Sequence, residues 1–321
     1  MVMSNSASRN VSPHRPHFNS LVSSYRPEDA SLDNDMHPVI HAGRVALITG
    51  AASGIGHAAA LELAKLGLKV AIADVDETKL NAVGKELLAI LGEGNVLVVP
   101  TDVSNIDQVV ALKDTVYDAW GEVAVLMNNA GIMIPSASWK ELDAWKKIFD
   151  VNVMGLVNVQ QTFVAPMRHQ ENPAMIINTG SKQGITNPPG NPAYNASKAA
   201  VKSLTEGLAW ELRQGTGDVT AHLFVPGWTH TGITTSGNSL APKPPGAWSA
   251  QETVLFMLDR VRFGEFYILC PDNETRPEID HLRIMWNAAD VTEGRPALSR
   301  WHPNYKSLYE EYVRENMASL D

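Results

Sequence analysis

The chain has 321 residues and a formal net charge of −9, with 44% hydrophobic and 19% charged residues, so its apolar matter suffices for one large domain or two small ones. The acidic balance argues against nucleic acid as a main partner, because phosphate binding needs a basic surface. A single cysteine, Cys270, excludes an internal disulfide and fits a reducing compartment such as the cytoplasm, and no apolar run of roughly 18 residues or more offers a membrane span.

In chain order, residues 1–42 are expected to form a disordered tail. Its first 27 residues contain no acid, seven serines and Arg9, Arg15 and Arg26, a composition shared with mitochondrial presequences, although Pro13 and Pro16 interrupt it. Four histidines (His14, His17, His37, His41) lack the tight spacing of a metal site. From Gly43, strand-like and helix-like segments alternate, the signature of a parallel sheet covered by helices on both faces. Predicted strands are Arg44–Thr49, Lys69–Ala73, Asn95–Pro100, Ala124–Met127, Ala174–Asn178, Thr220–Phe224 and Phe266–Leu269. They alternate with predicted helices over Gly54–Leu66, Glu77–Leu91, Ile106–Trp120, Trp145–Met167 and Pro192–Arg213. This reads as a doubly wound parallel α/β sheet, a Rossmann fold, over residues 43–271. Residues 228–248 hold three prolines and three glycines, too long and irregular for a plain connection and of the kind that forms substrate loops. A C-terminal extension, 272–321, carries Trp286, Trp301, Tyr305 and Tyr309 and a helix-like end at Lys306–Asn316, with enough aromatic surface to pack on the domain or on a second subunit. Cys270 adjoins an apolar run and is expected to be buried and inert.

Tyr194 and Lys198 stand four residues apart on a predicted helix, which places phenol and ammonium on one face. An ammonium near a phenol favours the phenolate and makes it usable as an acid/base near neutrality. Alone, such a pair is usually a solvated surface feature; its company carries the weight. Thr49–Gly56 (TGAASGIG) joins the first strand to the first helix. There Gly50 permits the tight turn, Gly54 permits close approach of a pyrophosphate and Gly56 lets the helix pack on the sheet. Asp74 ends the second strand 18 residues later, where a carboxylate accepts from ribose hydroxyls and repels a 2′-phosphate. With no cation at Ser53, Val75 or Asp76, NAD is favoured over NADP.

Together these features resemble the short-chain dehydrogenase/reductase family in its single-domain form, from about Gly43 to Leu269. The resemblance rests on the glycine turn, Asp102-Val103, Asn128-Asn129-Ala130-Gly131, Asn152, Ser181 lying 13 residues before Tyr194, Tyr194-x-x-x-Lys198, and Pro226-Gly227 followed by Thr229 and Thr231. It implies a catalytic set of Asn152, Ser181, Tyr194 and Lys198. It also implies cofactor contacts at Gly50, Ser53, Gly54, Ile55, Gly56, Asp74, Asp102, Val103, Asn129, Tyr194, Lys198, Thr229 and Thr231, and no metal. In that scheme Tyr194 exchanges a proton with the substrate oxygen, and Ser181 donates to the same oxygen. Lys198 lowers the phenol's pKa and holds the nicotinamide ribose, and Asn152 holds a water linking Lys198 to solvent. A homodimer or homotetramer built through the long helices is implied as well.

Lys182 and Gln183 are unusually polar for positions that often border the pocket; contact with a polar substrate group and exposure to solvent both remain open. Trp228 can wall the nicotinamide side. The implied activity is hydride transfer between NAD(H) and a secondary alcohol or ketone, and Trp228, Ile233, Leu240, Trp248 and Trp286 favour a hydrophobic or aromatic substrate. An NADPH-driven biosynthetic ketone reductase and a non-enzymatic nucleotide sensor are the competing readings. The sensor would be expected to have lost a member of the catalytic set, and none is missing.

Overall fold

In the computed structural model, residues 37–215, 218–235 and 242–318 are described. They build nine strands and ten α-helices in the order β1 (Val45–Thr49), α1 (Gly54–Lys65), β2 (Lys69–Asp74), α2 (Glu77–Leu91), β3 (Val96–Pro100), α3 (Ile106–Trp120), β4 (Val125–Asn128), α4 (Leu142–Phe149), α5 (Leu156–His169), β5 (Ala174–Thr179), α6 (Gln183–Thr186), α7 (Pro192–Arg213), β6 (Val219–Val225), β7 (Thr229–His230), β8 (Trp248–Ser249), α8 (Ala250–Arg262), β9 (Tyr267–Leu269), α9 (Pro277–Thr292) and α10 (Lys306–Ala318).

Seven of the strands form one sheet in the order β3-β2-β1-β4-β5-β6-β9, and every pairing is parallel. The fold is therefore the expected doubly wound α/β Rossmann sheet, and all seven expected strands are present to within a residue or so at each end. Alternation along each strand feeds two cores. In β1, Ala46 and Ile48 join one apolar cluster with Ala59 and Leu63 of α1, Leu80 and Leu87 of α2, and Val254 and Met257 of α8. Val45 and Leu47 point the other way, to Leu112 of α3, Phe163 of α5 and Leu212 of α7. Strand order reverses between β1 and β4, and in such sheets the crevice at the strands' C-terminal ends takes the ligand.

Several expectations need correction. Residues 37–42, expected within the tail, belong to the fold: Val39 and Ile40 are buried in the first core cluster. The ring Nδ1 of His37 accepts from their N–H groups at 3.1 and 3.0 Å, so His37 is a structural acceptor rather than a solvated side chain. Residues 1–36, with His14 and His17, lie outside the described residues. The long helix expected over Trp145–Met167 is two helices, α4 and α5, joined by a π-helical turn at Asp150–Gly155. Within 228–248 the two ends pair as β7 and β8, while 236–241 lie outside the described residues. Helix α8 was not anticipated, although Ser249 and Glu252 form a complete capping box at its start.

The extension folds as α9 and α10. Trp286 is its centre, buried between Tyr309 and Tyr312 with ring centroids 5.4 and 5.2 Å away and covered by the Arg295 guanidinium at 4.1 Å. Cys270 is fully buried, and burial pushes its thiol up to about 12, as expected for an inert cysteine. Among the described residues, no helix is long and apolar enough to cross a membrane.

Arg44 pins residues 37–42 to the sheet. Its buried guanidinium donates to Glu122 Oε1 and to the carbonyls of Pro38 and Pro173, each at 2.7 Å. Arg44→Met leaves one carboxylate and two carbonyls without their charged donor, and its expected cost is about 3 kcal/mol. Guanidinium denaturation measures it; a midpoint matching the parent protein would contradict the account.

Candidate active site

A cleft of about 730 Å³ opens at the C-terminal ends of the strands. It is lined by the turn after β1, the ends of β2 and β5, the segment after β4, one face of α7 and the loop after β6. Of the residues expected at a site, Gly50, Ser53, Gly54, Ile55, Asp74, Asp102, Val103, Asn129, Ser181, Tyr194, Lys198, Thr229 and Thr231 all line it. Gly56 and Asn152 do not; both are buried behind it.

Local sequence explains the placements. Gly50 takes φ +66°, and a Cβ there would meet Ala130 Cα at 2.7 Å. A Cβ on Gly56 would lie 2.2 Å from the Gly50 carbonyl oxygen, so glycine is what allows α1 to start against the turn. Ser53 stands at the N-cap without a side-chain capping bond, and the first turn holds no acid. The leading N–H groups of α1 and its positive dipole end therefore face the cleft uncompensated, as an anion site requires. At the far end Asp74 is held by the N–H groups of Ala52 and Asp76, each donating to its carboxylate at 3.0 Å. A glycine cradle, a free helix start and a fixed carboxylate together fit the phosphates and ribose of a dinucleotide.

Some expected contacts are engaged elsewhere. The Asp102 carboxylate accepts from both the N–H and the hydroxyl of Ser104, at 2.9 and 2.6 Å, and those bonds hold it below the usual carboxylate range. The Thr229 hydroxyl is tied to Thr253 of α8 at 3.0 Å. Thr231 lies beside Gly54, 3.2 Å from where a Cβ would stand. Asn129 is a brace as much as a contact. Its N–H donates to Thr49 Oγ1 at 3.0 Å, its amide nitrogen to the Thr49 and Gly50 carbonyls at 3.2 and 3.3 Å, and its amide oxygen accepts from Thr179 Oγ1 at 3.2 Å.

At the other end of the cleft, α7 begins with Asn191 as N-cap and Pro192 in its first turn, which sets Tyr194 and Lys198 on its inner face. Lys198 is 5% exposed. Its ammonium donates to the Thr179 carbonyl at 2.8 Å and stands 5.8 Å from the centroid of the Tyr194 ring. Burial pushes the ammonium down to about 8. It pushes the Tyr194 phenol up, against a hydrogen bond with Ser181 that acts in the opposite direction. The expected phenol drawn down by its ammonium is thus not met by these two groups alone, because both are desolvated. The Asn152 amide lies in the π-helical turn, where it accepts from Ile132 N–H at 2.8 Å and donates to the Ile132 carbonyl and to Ser197 Oγ at 2.9 and 3.0 Å. Its side chain braces the wall and does not present itself to the cleft.

Two cleft residues were missed in the sequence. Lys79 supplies a cation near Asp74, but its ammonium is held by Asp76 at 2.6 Å; the i, i+3 spacing from Asp76 at a helix start was the available signal. Arg283 comes from the extension and lines the cleft with Glu274 and Thr275; its i, i+3 spacing from Asp280 marks a helix pair but not a place in the cleft. Of the apolar residues thought to favour an aromatic substrate, Trp228 and Ile233 line the cleft. Trp248 packs on Phe256 and bonds Asn273, Trp286 is the extension's own core, and Leu240 lies outside the described residues.

Comparison with known proteins agrees with this geometry. The model for short chain dehydrogenase matches residues 44–240. A CLA biosynthesis dehydrogenase/reductase of Lactiplantibacillus plantarum is 35% identical over 193 residues, 59% of this chain and 66% of that protein. A 3-oxoacyl-(acyl-carrier-protein) reductase of Thermotoga maritima is 35% identical over 225 residues, 70% of this chain and 85% of that protein. Among solved structures, a short chain dehydrogenase/reductase from Burkholderia phymatum in complex with NAD aligns with TM-score 0.72 at 34% identity, covering 80% of this chain and 96% of that one. The chain belongs to the short-chain dehydrogenase/reductase family and has its oxidoreductase fold.

Lys198 gives a test of the site's electrostatics. Its folded value near 8 lies below its ordinary 10.5. Below about pH 8 both states are protonated and the folded state bears the full desolvation cost; between 8 and 10.5 the unfolded state binds more protons, so stability rises with pH. Lys198→Met is therefore expected to gain on the parent protein at pH 7 by about 2 kcal/mol, less the lost bond to Thr179, and to lose that advantage towards pH 10. Thermal unfolding of the cofactor-free protein at both pH values checks the trend. A difference that does not change with pH would mean that the ammonium is solvated.

Proposed function

We propose that the protein is an NAD-dependent oxidoreductase that interconverts a secondary alcohol and its ketone, with Tyr194 as general acid/base. The observation that carries this is the convergence of Ser181, Tyr194 and Lys198 at one end of a cleft whose other end holds a glycine turn, a free helix start and Asp74. A bound NAD⁺ would supply the hydride acceptor and a positive charge. The uncapped start of α1 would hold its phosphates, Asp74 its adenosine ribose, and Lys198 with Tyr194 the nicotinamide ribose.

Tyr194 takes the hydroxyl proton of an alcohol, or returns it to a ketone, and Ser181 donates to the same oxygen as charge develops there. Lys198 keeps a fixed position through Thr179 and stabilises the phenolate once it forms. Asn152 holds Ile132 and Ser197 in place beside Lys198. Trp228 and Ile233 favour an apolar group next to the reacting carbon, while Gln183, Thr275 and Arg283 add polar groups to the cleft lining.

NAD rather than NADP rests on Asp74, a carboxylate fixed by two N–H groups, and on Lys79 being engaged by Asp76. The NADPH-driven reductase remains the second reading, because Lys79 does line the cleft.

A screen of secondary alcohols with NAD⁺ and ketones with NADH is the direct test. In the active reaction, Tyr194→Phe is expected to lower kcat by at least about 100-fold and cofactor affinity by no more than about fivefold, the loss of one hydrogen bond to the ribose. Turnover surviving that change would remove Tyr194 from the chemistry. Asp74→Ala is expected to shift the kcat/KM ratio towards NADP by about tenfold, through lost ribose hydrogen bonds and lost repulsion of a 2′-phosphate. A parent protein that prefers NADPH would overturn the reading of Asp74.

A further inference from the structure

We propose that Lys182 is a positioning residue, locking the segment that carries Ser181 onto the C-terminal extension so that the extension sets the geometry of the hydroxyl meeting the substrate. This rests on the proposed role of Ser181. The Lys182 ammonium reaches Asp272 Oδ2 at 3.2 Å and also pairs with Asp280 of α9. The lysine side chain is 17% exposed and the two carboxylates 6% and 4%. Burial separates this cluster from a surface ion pair, which would contribute little. Breaking it leaves the buried Asp280 carboxylate with the Arg283 guanidinium at 3.4 Å, and the buried Asp272 carboxylate with the N–H groups of Trp228, Glu274 and Thr275.

The consequence for Ser181 follows from the short turn of α6. Gln183 N–H donates to Ser181 Oγ at 3.2 Å and Gly184 N–H to the Ser181 carbonyl at 3.0 Å. Wherever that turn sits, the hydroxyl follows. On one side it rests on α7, where a Cβ at Gly184 would lie 2.4 Å from the Lys198 carbonyl carbon. On the other it is held by the extension, through Lys182 and through Asn287 of α9 donating to the Ile185 carbonyl at 3.2 Å. Asp272 also accepts from Trp228 N–H at 3.1 Å, in the loop after β6. The cluster thus holds two cleft-lining segments at once, the one that carries Ser181 and the one that carries Trp228.

The test uses the full chain with Lys182→Met, Lys182→Arg and Asp280→Asn. Three quantities are read: hydrogen exchange over residues 179–187, kcat and KM for the best secondary alcohol with NAD⁺, and the Kd for NADH. Lys182→Met is expected to speed exchange over 179–187 by about fivefold or more and to lower kcat by about tenfold, with the NADH Kd within about twofold, since a shift of about 1 Å at a reacting group costs up to about 100-fold. Lys182→Arg, which can still bridge both carboxylates, is expected to restore exchange and kcat to within about threefold. If Lys182→Met does not fold, Asp280→Asn, which keeps the pair with Asp272, carries the same test with smaller expected changes. Unchanged exchange over 179–187, or kcat within about twofold of the parent in the folded variant, overturns the proposal. If the parent oxidises no alcohol and reduces no ketone, the proposed function fails, and the exchange measurement alone decides the role of Lys182.

Discussion

The glycine turn and the Tyr194–Lys198 pair stand on different helices, and one hydrogen-bonded path joins them through Asn129. The Gly50 carbonyl accepts from the Asn129 amide, which accepts from the Thr179 hydroxyl, while the Thr179 carbonyl accepts from the Lys198 ammonium. Each link uses the C-terminal end of a different strand of the sheet, β1, β4 and β5. The parallel register of those strands therefore fixes the distance between the glycine turn and the Tyr194–Lys198 pair at the two ends of the cleft. Gly56 belongs to the same constraint, because a side chain there would collide with both the Gly50 carbonyl and the Asn129 amide.

Burial gives the site its chemistry at a cost in stability. Lys198 and Tyr194 are both desolvated, so burial shifts each towards its neutral form relative to water. A positive charge arriving beside them changes that balance more than it would in water, because the same low dielectric that disfavours each charge strengthens the interaction between opposite ones. Under the proposed function, a cationic ring bound beside the pair would favour the phenolate and so draw the phenol down.

Most of the proposed dinucleotide half was legible in the sequence, because its signals are local. Nearly continuous apolar runs marked the buried strands, glycines marked the turn, and an acid at a strand end marked the carboxylate that lines the cleft. Asn191 and Pro192 likewise marked the start of the helix that carries Tyr194. The substrate half was not legible, because it is assembled from segments far apart in the chain. Lys182 looked merely polar until Asp272 and Asp280 were brought to it, and the i, i+3 spacing of Asp280 and Arg283 marks a helix pair without placing it at a cleft. His37 and Arg44 show the same limit at the other end of the described residues: Arg44 joins the carbonyl of Pro38 to that of Pro173, which is far away in sequence. Helix α8 is a different kind of miss, since its capping box was present but sat directly after a proline- and glycine-rich stretch.

The wide turn at Asp150–Gly155 has no local signature either, yet it ties two requirements together. A π-helical turn is an α-helix with one residue too many, and that surplus presents Asn152 to Ile132 while α5 continues beyond it. Deleting one residue there would let the ladder close as regular helix, but would swing everything downstream by about 100°. Val159 and Phe163, now fully buried beneath the sheet, would rotate towards solvent. The length of this segment is therefore locked: losing one residue would unseat both the Asn152 brace and the packing of Val159 and Phe163.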